Sequence, residues 1–132
     1  MSVDYHARYA KAPASYTKQI EKRFADLPAG STVLIPSPQD IEAVVSDLNP
    51  SATITFSELR NKLAARCGAD GTCPVMAGMN LRVAAEVTFE AIDAGVPAED
   101  LTPIWKAIDP TSALASKLPC TVEALTALRA AA

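Results

Sequence analysis

The chain has 132 residues, of which 49% are hydrophobic and 20% charged, and its formal net charge is −3. That length suits one domain with a core of its own, and the balance of apolar residues to charge excludes a disordered chain. No apolar run approaches the ~20 residues needed to cross a bilayer, and the acidic balance speaks against a protein whose main affinity is for phosphate backbone. The N-terminus, MSVDYHARYAKAP, lacks the apolar core of a secretory signal. Three cysteines leave at least one thiol unpaired, which points to a reducing, cytoplasmic setting.

Charge is unevenly spread. Residues 1–23 hold Arg8, Lys11, Lys18, Lys22 and Arg23 against Asp4 and Glu21, a basic arm ahead of an acidic body. Such an arm is either a solubilising tail or a strap that lies on an acidic partner or on nucleic acid. Residues 1–13 read as an irregular extension. The spacing of Tyr16, Ile20 and Phe24 predicts a short helix over 15–26, and residues 31–35 form an apolar, β-branched stretch. Ser37, Pro38 and Asp40 make a capped helix start, and Ile41, Val44, Val45 and Leu48 supply one buried stripe.

Residues 52–56 read as a short strand. Thr55 and Glu58 form a capping box that starts a helix over 56–66, with Leu59 and Leu63 inward. Gly68, Asp70 and Gly71 turn the chain, and Pro74 opens a longer helix to Asp93, apolar around much of its circumference. Residues 104–108 have strand character, and with the turn at 109–112 they predict a hairpin over 104–118. Thr121 caps a last helix over 122–129. Two helices joined by a tight Gly-containing turn and followed by a hairpin outline a winged helix-turn-helix. The fold class is therefore mainly α with a small β-hairpin or wing. Residues 1–36 are the basic N-terminal extension with its short helix, and 37–132 the winged-helix domain.

The chain carries few groups arranged for chemistry. Cys67, Cys73, Cys120 and His6 are too few and too far apart for a zinc site, so no metal and no cofactor is implied. A Cys67–Cys73 disulfide depends on geometry, and both residues read first as small packing groups, although Cys73 sits at a helix start that would lower a thiol pKa. One histidine in an arm does not make a triad. Glu86, Glu90 and Asp93 read as a solvated acidic face of the long helix, and Met76 and Met79 as core filler. Trp105 either packs onto the helices or stacks on a base.

Several segments together resemble one family. Residues 53–59 (TITFSEL) are similar to the T-T-Y-G-E-I stretch that opens the helix-turn-helix of methylguanine-DNA methyltransferases. Residues 68–78 (GADGTCPVMAG) resemble the G-A-D-x-x-C-P-x-T-T-G signature of a branch of that superfamily. That branch's I-T-P-Y-W-R and P-G-G-V-E-A resemble LTPIWK (101–106) and PCTVEA (119–124). Its S-W-x-x-K-L and V-I-P-x-P resemble SYTKQI (15–20) and VLIPSP (33–38). The likeness covers roughly residues 15–129.

The resemblance implies a winged helix-turn-helix of the alkyltransferase kind. In active members a P-C-H-R-V motif carries the alkyl-accepting cysteine, which takes the alkyl group from a flipped-out base. The matching stretch here is PIWKA (103–107), with Ile104 at the cysteine position and Trp105 at the histidine position. Cys120 takes the first glycine position of the branch's P-G-G, and Phe56 stands where active members have a tyrosine. Across 58–82, Arg60, Lys62, Arg66 and Arg82 outnumber Glu58 and Asp70.

The resulting expectation is a non-enzymatic, alkyltransferase-like protein that binds DNA weakly and in a salt-sensitive way. Its contacts would come from Thr55, Ser57, Arg60, Thr72, Asn80, Arg82, Trp105 and Lys106. The alternative is an interaction module on the same fold, with DNA binding lost and the acidic helix or basic arm used for a protein partner or for self-association. A thiol-based activity at Cys73 or Cys120 is a distant third.

Overall fold

A computed structural model describes residues 4–131. Among them are five α-helices and one small sheet of three strands. The arm is ordered: Asp4 accepts from the Ala7 N–H (3.0 Å) and caps helix α1, Tyr5–Lys11. This helix lies on the long helix further along the chain, where Arg8 pairs with Glu86, His6 Nε2 stands 3.4 Å from Glu90, and the Tyr9 hydroxyl donates to Glu42. Of the irregular extension expected at 1–13, residues 5–11 thus form a docked helix, and residues 1–3 lie outside the described residues. Arg8 of the arm meets an acidic group of its own chain, while Lys11, Lys18, Lys22 and Arg23 stay exposed.

The helix expected over 15–26 is instead strand β1, Tyr16–Gln19, followed by a turn. It pairs antiparallel with β2, Thr32–Ile35, in the register Tyr16↔Ile35 to Gln19↔Thr32. The four-residue spacing of Tyr16 and Phe24 misleads because both are exposed, so the stripe faces no core. The apolar β-branched β2 offers a ladder of backbone partners, and tertiary pairing overrides local periodicity. On its other edge β2 pairs parallel with the two-residue β3, Gly71–Thr72, which ties residues 16–35 into the body of the protein. Gly71 permits close packing: a Cβ there would lie 2.4 Å from Leu27 Cδ2, and the Leu27 side chain would have to shift.

Helix α2, Pro38–Ser46, starts at Ser37, whose Oγ accepts from the Asp40 N–H (3.1 Å). Helix α3, Phe56–Cys67, opens on the reciprocal Thr55–Glu58 capping box and ends at Gly68, whose φ of 73° lies in the left-handed region that favours glycine. Helix α4, Pro74–Asp93, and α5, Val122–Ala130, complete the set. The core is assembled from Ile41 and Val45 of α2, Leu59 and Leu63 of α3, Leu81 and Ala85 of α4, and Leu125 of α5, with Ile104 and Ile108 wedged among them.

No strand forms over 52–56 or 104–118. The first is extended chain held by the Ile54 N–H on the Lys106 carbonyl (2.9 Å). The second is two 3-10 turns, Ile104–Ala107 and Ala115–Lys117, so the expected wing hairpin is absent from that segment. The reason is burial. Residues 104 to 108 are all buried, whereas a strand on the surface of this core would turn alternate residues to solvent. The acidic face of α4 is also not fully solvated, because Glu86 is 2% exposed between Arg8 and Arg82. Met79 is not core filler, being 56% exposed, while Met76 is half-buried beside Leu27.

Candidate functional site: an apolar cleft at the start of α3 and α4

A cleft of about 570 Å³ opens where α3 and α4 begin. The capping box fixes the first turn of α3 and so places Phe56, which is 37% exposed, on one wall. Pro74 starts α4 and brings Gly78 and Leu81 to the second wall. Gly78 has no side chain to fill the space beside the ring; a Cβ there would stand 3.9 Å from Phe56 Cζ. Residues 107–114 close the far side with Ala107, Ile108 and Leu114. The interior is therefore mostly hydrocarbon, with a few polar groups at the rim, the usual make-up of a binding cleft.

Two rim carboxylates are held ionised. The Thr55 backbone N–H, and then its hydroxyl, hold the Glu58 carboxyl below the usual range. The Thr111 backbone N–H (2.8 Å) and hydroxyl (2.7 Å) do the same for Asp109. The rim cation is partly engaged, since Arg129 Nη1 donates to the carbonyls of Trp105 and Ile108, both at 2.8 Å.

No cysteine lines the cleft. All three thiols are free: Cys67 is exposed, Cys73 buried and Cys120 partly buried, with burial pushing the Cys120 thiol up and Asp93 adding to it. Among the described residues no group of three or more His, Cys, Asp or Glu side chains could hold a metal ion.

The eight residues singled out for DNA contact do not form one surface. Thr55 and Ser57 are exposed at the start of α3, and Thr55 borders the cleft. The others are drawn into the fold. Arg60 Nε and Nη2 donate to the Thr72 carbonyl (3.0 and 2.7 Å), and Nη1 and Nη2 grip Asp26 (3.0 and 2.7 Å). Thr72 is 1% exposed and its hydroxyl donates to the Arg60 carbonyl (2.8 Å). Asn80 is buried and donates to the Pro36 carbonyl (2.7 Å). Arg82 leans on Glu86 (3.3 Å). Trp105 is 7% exposed, packed in the core rather than displayed for stacking. Lys106 is 6% exposed and its ammonium donates to the carbonyls of Asn49 (3.1 Å) and Pro50 (2.7 Å).

Those residues stand out in sequence by their place in the expected helix-turn-helix and their polarity, with Trp105 added for stacking, and neither separates a side chain that meets a ligand from one that satisfies a buried carbonyl. The cleft residues Gly78, Asp109, Ser112, Leu114 and Arg129 went unselected. The available signals were a glycine inside an apolar helix and a D-P-T-S turn after a buried run. Compared with protein-family models, curated proteins and solved structures, the chain finds no match in any of the three.

Proposed function

We propose that the chain is a non-enzymatic, alkyltransferase-like binding domain of winged helix-turn-helix ancestry that engages a partner through the apolar cleft rather than reading DNA. One observation carries this reading. Arg60, Asn80 and Lys106 are turned inward onto carbonyls, while the cleft between α3 and α4 is hydrocarbon-lined with two ionised carboxylates at its rim. The α4 surface next to it exposes Val75 and Met79, which offer contact area and no charge. Ile104, at the position the resemblance assigns to the acceptor cysteine, is fully buried, and no cysteine lines the cleft.

Weak DNA binding is the second reading. It is favoured by exposed Lys18, Lys22 and Arg23 around β1 and Lys62 on α3, cations of the basic arm and of the expected helix-turn-helix.

Two titrations separate these. The apolar dye Nile red should bind saturably, and Gly78→Leu, which fills the space beside Phe56, should abolish that binding. Fluorescence anisotropy with duplex and single-stranded DNA should show no salt-dependent binding at physiological ionic strength. Dye binding unaffected by Gly78→Leu, or a steep salt slope with DNA, overturns the reading.

A further inference from the structure

The turn after β1 carries an apolar side chain for which the fold has no use. Phe24 and Leu27 exchange backbone hydrogen bonds (3.0 and 2.8 Å) across a two-residue hairpin whose central residues are Ala25 and Asp26. Leu27 is buried against Gly71, but Phe24 is 44% exposed. Ala25 has φ of 52°, the only positive φ among the described non-glycine residues. That conformation favours glycine and is held here by its surroundings. The surroundings are visible: Asp26 is gripped by both terminal nitrogens of Arg60, and Arg23 Nε donates to the Ala25 carbonyl (3.3 Å). The tip is thus a braced platform that presents an aromatic ring, preceded by Lys22 and Arg23, to the outside.

This ring does not line the cleft of its own chain. The two features are nonetheless complementary. The cleft has hydrocarbon walls beside Phe56 and a rim where Glu58 and Asp109 outnumber Arg129 by one charge. At the tip, Arg60 already neutralises Asp26, so Lys22 and Arg23 outnumber Glu21 by one. A phenyl ring seated beside Phe56 meets the ring edge-on or offset, and a braced tip loses little freedom on docking.

We propose that the chain self-associates by seating the Phe24 tip of one copy in the cleft of another, with Lys22 and Arg23 lying over the Glu58 and Asp109 rim. The proposal rests on the cleft being a binding site. Sedimentation velocity over a concentration series should show a mass that rises with concentration. Phe24→Ser and Gly78→Leu should each weaken association by about 30-fold or more, the loss typical of a central aromatic anchor. Mixing the two variants should restore a heterodimer, because one keeps the tip and the other the cleft. Leu114→Arg, also in the cleft, replaces Gly78→Leu if the latter does not fold, with Trp105 emission as the check on folding.

A monomer at every concentration, association indifferent to Phe24→Ser, or a mixture that stays monomeric overturns the proposal. Nile red binding to a wild-type chain that stays monomeric tells the two failures apart. Retained dye binding in a monomeric protein refutes self-association and leaves the cleft reading standing, whereas lost dye binding refutes both.

Discussion

Replacing Arg60 by alanine removes one guanidinium that braces two separate segments. At its buried end, Nε and Nη2 both donate to the carbonyl of Thr72, a residue 1% exposed in β3. At its outer end it holds Asp26, whose carboxyl it keeps below the usual range, but that carboxylate is 67% exposed and water replaces the guanidinium readily. The magnitude therefore comes from the inner end. Charge-assisted hydrogen bonds to a buried carbonyl contribute about 1.5–3 kcal/mol, so Arg60→Ala should destabilise by about 2 kcal/mol.

Lysine cannot reproduce the fork and should recover only part of this loss. The assay is urea unfolding followed by Trp105 emission, with Lys62→Ala, on the exposed side of the same helix, changing stability by no more than about 0.5 kcal/mol. If Arg60→Ala and Lys62→Ala are indistinguishable in stability, and Arg60→Ala instead lowers DNA affinity, then Arg60 faces a phosphate and the reasoning about its inward role is wrong.

The remaining predictions test the arm and the tip. The Tyr9 phenol is pushed up to about 12, first by burial and then by its hydrogen bond to Glu42. The folded state thus holds that proton more tightly than the unfolded chain, so the arm's contribution is complete below pH 10 and is lost as pH rises from 10 toward 12. Tyr9→Phe should remove a late step from the phenolate absorbance titration, and an unchanged high-pH limb would mean that α1 is not docked. Ala25→Gly relieves a left-handed alanine and should add about 1 kcal/mol, or roughly 4 °C in Tm. No gain in a thermal melt would show that the tip does not hold this conformation in solution.

Helix starts and stops were legible residue by residue. Ser37–Pro38, Thr55 with Glu58, Pro74 and Thr121 mark the beginnings of α2 to α5, and Gly68 ends α3, because caps are local chemistry between neighbours. The β1 segment and the 104–118 segment were not legible. Their apolar residues fit two periodicities, and the choice depended on whether a partner strand or a surrounding core was present. The same holds for the ionisable residues. Glu86 and Lys106 look like surface groups in the sequence, and only the approach of α1 and of residues 49–50 shows that each is buried with its partners.

The sequence by itself thus determined a small, mainly helical protein with a basic start and an acidic body, and the spans of four of its five helices. The tertiary structure decided where the charges go. It docked α1 onto the acidic face of α4, turned Arg60, Asn80 and Lys106 toward carbonyls, and left an apolar cleft and, outside it, an exposed Phe24. The physical reason is that a cap or a turn is settled within a few residues. The environment of a charge, by contrast, is set by whatever long-range packing brings beside it.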